Sequence, residues 1–229
     1  TEVDLTNYVI VLPLVGELSL SYRGPSPDYY IEYSILTDPS NLTWYPLSDG
    51  DVATTTNNIP ILLRGNLIPV ANRGIGTIRI QGECFLGGNC MALLYGDDAY
   101  NKTTMPYDYA FYRLFINCTN IKGIEYGFLP ATTLSFQCYA YMFKGCTGLL
   151  ESPLLPATNL VIGCYQQMFY GCTNLSRIYA SFLTTPSDDY TEGWVTGVAE
   201  NGVFYRNKNA SWNVIGNNGI PFGWTIQNL

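Results

Sequence analysis

Two stretches, CYAYMFKGCTGL at residues 138–149 and CYQQMFYGCTNL at residues 164–175, share the pattern C-Y-x-x-M-F-x-G-C-T-x-L. They begin 26 residues apart (164 − 138 = 26), and the segments LPATTL from Leu129 and LPATNL from Leu155 have the same offset (155 − 129 = 26). A fixed period in this range is typical of a solenoid, in which each unit buries its apolar side against its neighbours. The sequence therefore predicts a stack of repeated units.

A third and longer copy precedes these two, because Phe115 and Cys118 match Phe143 and Cys146 at an offset of 28 residues (143 − 115 = 28). Each copy also contains the spacing apolar-x-x-apolar-x-apolar, which predicts a short strand whose alternate side chains point inward. The residues at this spacing are Ile121-Ile124-Tyr126, Leu149-Ser152-Leu154 and Leu175-Ile178-Ala180, and we interpret Ile75-Ile78-Ile80 as an opening copy.

A second apolar cluster precedes the predicted strand in the later copies. Cys164, Tyr165, Met168 and Phe169 fall at positions i, i+1, i+4 and i+5, which is the spacing of one face of a helical turn. We therefore predict that a short helical turn packs against the strand of each repeat.

The first 73 residues follow a different pattern, in which short apolar runs alternate with turn-forming clusters. The runs are 8–12, 18–22, 29–35, 43–45 and 59–63, and two of the clusters lie at 24–27 and 38–41. Short strands separated by turns are typical of a small antiparallel sandwich. We predict a mixed β fold with short helices, made of a β-sandwich-like domain at 1–73 and a leucine-rich-repeat solenoid at 74–229.

The predicted solenoid divides into an irregular opening segment at 74–112, repeats at 113–183 and a C-terminal cap at 184–229. A cap is expected because the last strand of a solenoid otherwise leaves an open edge. We interpret Trp212 and Trp224 as the core of this cap, with exposed ligand platforms as the alternative. The acidic pairs Asp97-Asp98 and Asp188-Asp189 are interpreted as solvated turns, with calcium sites as the alternative.

The seven cysteines follow the repeat. Cys118, Cys146 and Cys172 share one repeat position, and Cys138 and Cys164 share another, which predicts stacked rows of small buried thiols. Stacked neighbours could also meet the distance that a disulfide requires, so the oxidised form stays open. A zinc site is less favoured, since the sequence has no histidine and no C-x-x-C pair.

Composition excludes several classes of function. A net charge of −7 and a charged fraction of 13% provide no basic surface for nucleic acid. No uninterrupted apolar run approaches the roughly 18–20 residues that cross a membrane, so we do not expect a membrane-spanning chain. The chain starts at Thr1 without the charged and apolar regions of an export signal, and we expect such a signal to have been removed.

The sequence does not indicate an enzyme. The absence of histidine removes the Ser-His and Cys-His nucleophile pairs. Glu125 and Glu151 are the pair of carboxylates that could lie on neighbouring strands, as a glycoside hydrolase would require, but we interpret them as solvated residues on an open sheet. Gly74-x-Gly76 does not extend to a dinucleotide-binding motif. We therefore predict no catalytic residues, no cofactor and no metal.

The repeats, with L-P-A-T-x-L between them, resemble the BspA-like leucine-rich repeats of bacterial surface proteins. The closing sequence G-N-N-G-I-P-F-G-W-T-I and the segment G-D-D-A-Y are similar to the ends of such proteins. This chain has Met142-Phe143 and Met168-Phe169 where the family commonly has Ala-Phe, so it resembles a variant branch. The resemblance covers roughly residues 75–229. It implies a secreted or lipid-anchored protein at the bacterial cell surface, in some members an adhesin.

We therefore favour a non-catalytic adhesion module that binds a host or bacterial surface protein on its exposed sheet. The alternatives are a protein that captures carbohydrate and a spacer that holds another domain away from the cell wall. Alignment of the copies predicts two outward columns, Thr77, Gly123, Glu151 and Arg177 in one, and Arg79, Glu125, Pro153 and Tyr179 in the other. From these columns, the candidate binding residues are Arg79, Glu125, Glu151, Arg177 and Tyr179.

Overall fold

The computed structural model describes residues 5–24 and 30–229. Its strands are β1 (Val9–Pro13), β2 (Leu18–Arg23), β3 (Ile31–Ile35), β4 (Tyr45–Pro46), β5 (Val52–Thr55), β6 (Ile61–Gly65), β7 (Thr77–Gln81), β8 (Cys84–Gly88), β9 (Ile121–Ile124), β10 (Glu151–Leu155), β11 (Arg177–Ala180), β12 (Val203–Arg206) and β13 (Thr225–Asn228). The α-helices are α1 (Ala92–Tyr95) and α2 (Asp188–Thr191), and single 3-10 turns lie at Leu5–Asn7 and Gly96–Asp98. The predicted β-rich fold with short helices is confirmed.

Two sheets make up the N-terminal part. The larger has the order β4-β3-β6-β1-β8-β9 and the smaller has the order β5-β2-β7. Alternation in β1 buries Val9 and Val11, and alternation in β2 buries Leu18 and Leu20, all in one core. Most of the predicted turn at 24–27, and Tyr29 of the predicted run at 29–35, lie outside the described residues.

The predicted opening copy of the repeat is wrong. Strand β7 pairs antiparallel with β2, with Leu20 opposite Ile80, so it belongs to the smaller N-terminal sheet. Ile78 and Ile80 are buried as expected, but alternate burial occurs in any strand with one solvated face. The larger sheet instead reaches the repeats through β8, which pairs parallel with β9.

The C-terminal part is a β-solenoid whose parallel sheet has the order β10-β11-β12-β13. Ile178 of β11 lies opposite Phe204 of β12, and both are fully buried. Their offset equals the sequence period (204 − 178 = 26). The solenoid therefore continues past Ala180, where the sequence motif fades, because backbone pairing needs only an inward apolar side chain and not the full motif.

The predicted helical turns are wrong, although the predicted burial is right. In residues 137–146, every second N–H group donates to the carbonyl three residues earlier, as Met142 does to Tyr139 at 3.2 Å. The N–H groups between them donate to the next copy, as Phe143 does to Met168 at 3.1 Å. An α-helix would use all of these donors internally. Each segment is instead a series of tight turns that pairs with its neighbour.

Left-handed residues recur every fourth position in these turns. In one copy they are Gln137, Tyr141 and Gly145, with φ of 49°, 60° and 74°. A period of four explains why the i, i+1, i+4, i+5 pattern resembles a helix. Cys164, Tyr165, Met168 and Phe169 all face the core with no exposure.

Two rows of aromatic rings fill the solenoid between turns and strands. Phe115, Phe143 and Phe169 stack with ring centroids 5.7 and 6.0 Å apart and planes 4° apart. A parallel row contains Phe111, Tyr139 and Tyr165, at 5.7 and 6.0 Å. Trp194 lies 6.1 Å from Phe169 and 6.3 Å from Tyr165, so one residue terminates both rows.

All seven cysteines are buried free thiols. Cys118, Cys146 and Cys172 donate from Sγ to the carbonyls of Ile78, Phe115 and Phe143, each at 3.1 Å. Three equivalent hydrogen bonds at one repeat position confirm the predicted row of thiols.

The tryptophans of the C-terminal segment are core residues and not exposed platforms. Trp212 stacks on Phe182 at 5.1 Å and donates from Nε1 to the Phe182 carbonyl at 3.1 Å. Trp224 donates to the carbonyl of Ala199 at 2.8 Å. Buried indole N–H groups need such partners, so both rings are fixed by packing and hydrogen bonding.

Candidate binding surface

The outward face of the parallel sheet presents two rows of side chains. Register places Glu151, Arg177, Val203 and Thr225 in one row, and Leu154, Tyr179, Tyr205 and Gln227 in the other. Tyr126, which follows β9, lies beside the second row. We call Tyr126, Leu154, Tyr179 and Tyr205 the tyrosine patch.

The rings of the tyrosine patch contact one another. Tyr179 and Tyr205 stack with centroids 4.7 Å apart and planes 17° apart. Tyr126 meets Tyr179 edge to face at 5.4 Å and is 51% exposed. The patch is thus a group of mutually supported aromatic side chains on the solvent side of the sheet.

A charged pair fixes the central ring of the patch. The Tyr179 hydroxyl donates to Oε2 of Glu151 at 3.0 Å, and Nη1 of Arg177 lies 3.6 Å from the same oxygen. Partial burial, followed by the hydrogen bond and charge of Glu151, raises the pKa of Tyr179 to about 12. The phenol is therefore neutral and held in one orientation at physiological pH.

Three of the five candidate residues, Glu151, Arg177 and Tyr179, lie together. Glu125 lies elsewhere, and its carboxylate accepts from the backbone N–H of Gly88 at 2.6 Å, which ties it to β8. Arg79 lies on β7, in the smaller N-terminal sheet, together with Thr77. The predicted columns therefore do not run continuously across the two parts of the chain.

The structure corrects other members of the predicted columns. The register of β10 shifts between Glu151 and Leu154, so Leu154 takes the outward place beside Tyr179 and Pro153 is buried. The outward side of Gly123 is covered, since a Cβ there would lie 2.9 Å from the Phe85 ring. A regular alternation of side chains, as the sequence suggested, cannot anticipate a bulge.

Tyr126 and Leu154 were predicted to point inward and do not, since Leu155 is the buried residue at the end of β10. Tyr205 was not predicted. Its sequence signal was present, because it follows Tyr179 by one full period (205 − 179 = 26).

The acidic residues of the chain have local partners. Asp97 pairs with Arg64 at 2.7 Å, and Asp188 accepts from the side chain of Asn218. Within residues 5–24 and 30–229, no group of three or more cysteine, aspartate and glutamate side chains is arranged to hold a metal ion. Glu125 and Glu151, the candidate carboxylate pair, contact different groups.

No family model, no curated protein and no solved structure matches the chain. Among the described residues, no helix has both the length and the apolar character needed to cross a bilayer.

Proposed function

We propose that this chain is a non-catalytic binding module with a BspA-like leucine-rich-repeat scaffold, that it acts outside the cell at the bacterial surface, and that the tyrosine patch contacts its partner. The observation that carries the proposal is the Tyr126–Tyr179–Tyr205 cluster, in which three aromatic rings lie on one outward face of the solenoid. The partner we favour is a host or bacterial surface protein.

The chemistry of the patch supports a protein partner. Tyrosine and arginine are the residue types that dominate binding hot spots, and Arg177 borders the patch at a half-exposed position. The rings are already ordered by stacking and by the bond from Tyr179 to Glu151, so less side-chain entropy is lost on binding. Leu154 adds apolar area at the side of Tyr179.

The repeat sequence supports the choice of scaffold. The rows of Phe, Tyr and Cys side chains recur at the positions of the C-Y-x-x-M-F-x-G-C-T-x-L motif. An extended sheet built from such repeats presents a continuous outward surface, which repeat proteins use for recognition.

A second candidate function is capture of a neutral carbohydrate. It is favoured by Tyr126, whose half-exposed ring could stack on the apolar face of a sugar. A spacer role is the third candidate and requires no ligand. The three candidates differ in what the purified chain retains, and an array can separate them.

The experiment is to apply the purified chain to an array of purified extracellular-matrix proteins and neutral glycans. Binding to proteins alone supports the favoured proposal, and binding to glycans alone supports carbohydrate capture. No retention on either class would overturn both binding proposals and favour the spacer.

A further inference from the structure

A second site is indicated in the N-terminal part by a cleft of about 300 Å³ whose lining includes Arg23, Asp49, Arg73, Thr77 and Arg113. We call it the arginine cleft. Its composition is unusual for this chain, which has a net charge of −7 and only 11 lysine and arginine residues. Three of those 11 line this one cleft, so a local positive surface lies on an acidic protein.

The one acidic residue in the lining is already engaged. Oδ2 of Asp49 lies 3.4 Å from Nη1 of Arg23, and Oδ1 of Asp49 accepts from the backbone N–H of Gly24 at 3.2 Å. Within residues 5–24 and 30–229, neither Arg73 nor Arg113 forms a salt bridge. Both are exposed. The cleft therefore retains positive charge that its own carboxylate does not neutralise.

Arg113 is held in place before any ligand binds. Its guanidinium lies 5.0 Å from the Tyr112 ring centroid and 5.2 Å from that of Tyr141. Its backbone N–H donates to the carbonyl of Ala140 at 3.0 Å. Stacking between two rings limits the motion of the side chain and leaves the guanidinium N–H groups available to an oxyanion.

Cationic and aromatic side chains continue to alternate along the solenoid beyond the cleft. Nζ of Lys144 lies 5.3 Å from the Tyr141 ring centroid and 4.4 Å from that of Tyr170. The order is thus Arg113, Tyr141, Lys144, Tyr170. A ligand with repeated negative charges and apolar ring faces would match such a series better than a single small anion would.

We propose that the arginine cleft binds the carboxylate or sulfate groups of an acidic polysaccharide that extends along the adjoining repeats. Guanidinium groups form paired, charge-assisted hydrogen bonds with these oxyanions. Tyrosine rings beside the cations offer surfaces for the sugar rings. This site shares no residue with the tyrosine patch, and the proposal does not depend on the function proposed for that patch.

The test measures binding of the full chain to dextran sulfate and to oligogalacturonate by isothermal titration at low and moderate salt. Poly-L-glutamate and inorganic sulfate serve as comparison ligands. We expect binding to at least one of the two polysaccharides that weakens as salt increases. The stronger of the two identifies sulfate or carboxylate as the preferred group.

The variant is the double change Arg73→Gln and Arg113→Gln. Glutamine suits the left-handed backbone at Arg113, because Gln167 holds the equivalent position one copy beyond Tyr141 with φ of 47°. The matched control is Arg79→Gln, which removes one exposed charge outside the cleft. Arg73→Glu alone serves as a second variant, since Arg73 lies in an exposed turn.

We expect the double variant to bind the polysaccharide at least tenfold more weakly and Arg79→Gln to change affinity less than twofold. Arg73→Glu should also weaken binding. Unchanged affinity in both cleft variants would overturn the proposal, and so would equally tight binding of poly-L-glutamate. A lack of binding to either polysaccharide at low salt would overturn it as well.

Discussion

Tyr179 and Tyr205 stack at 4.7 Å on the outward face of adjacent parallel strands. This distance is the spacing between neighbouring strands in a sheet, about 4.7–4.9 Å, and the residues are paired in register. The repeat therefore sets the separation of the two rings. A binding surface that extends across the sheet follows from placing one tyrosine per repeat at the same position.

The pKa of Tyr179 should depend on Glu151. We expect Glu151→Gln to lower it from about 12 towards the ordinary value of 10.0, because the carboxylate favours the neutral phenol. Burial, the largest cause, remains in the variant. Titration of ¹³Cζ-labelled tyrosine by NMR would measure the change, and an unaltered pKa would contradict the role of Glu151.

The same shift gives a sign for stability at high pH. The pKa of Tyr179 is raised on folding, so its contribution to stability is complete below pH 10 and is lost as pH rises from 10 to about 12. Tyr22 has a pKa raised to about 12 by burial and by Asp49, and it acts in the same direction. Urea unfolding between these pH values should show a falling free energy of unfolding, and a rising one would contradict this assignment.

Phe143 should be a major source of stability. It is fully buried between Phe115 and Phe169, and truncation of such a residue to alanine costs about 3–5 kcal/mol. The control is Tyr170→Ala, on an exposed aromatic residue of a neighbouring turn, which should cost about 1 kcal/mol or less. Equal losses in urea unfolding would show that the aromatic row is not a core.

The thiols should be inert in the folded protein. Burial raises the pKa of Cys118 to about 11 and that of Cys172 to about 12, and the thiolate is the reactive form. Thiol titration at pH 8 should find few reactive groups before denaturation and close to seven afterwards without reductant. Two or fewer after denaturation would indicate disulfides.

The left-handed positions can be tested at Gly171, where φ is 74°. A Cβ there would meet nothing closer than 3.9 Å, so Gly171→Ala tests backbone conformation without a clash and should cost about 1–2 kcal/mol. Gly171→Asn should cost less, because Asn117 holds the equivalent position with φ of 60°. Equal costs for the two variants would argue against the series of tight turns.

The sequence predicted what depends on its period. The stacked units, the thiol row and the burial of Phe143 and Phe169 all follow from the 26-residue offset. The sequence did not predict how the turns are hydrogen-bonded, since a period of four in successive left-handed turns mimics a helical face. Distant pairing also stayed hidden, because β7 carries the same apolar spacing as a repeat strand but pairs with β2.

The candidate site was predicted in part for the same reasons. Glu151, Arg177 and Tyr179 come together because they belong to consecutive repeats. Tyr126 and Leu154 were placed on the wrong face, since the bulge in β10 shifts the alternation. The arginine cleft could not be predicted, because Arg23, Arg73 and Arg113 are distant in sequence and meet only through tertiary packing.

The central claim is that the tyrosine patch is a binding face, and the most direct measurement is the affinity of a patch variant for the strongest ligand on the array. The variant is Arg177→Ala with Tyr179→Ala, and its matched control is Arg79→Ala with Tyr100→Ala, two exposed residues outside the patch. We expect at least a tenfold loss of affinity in the patch variant, with a nearly unchanged Tm and full binding by the control. Equal affinity in the patch variant and the unaltered chain would contradict the claim.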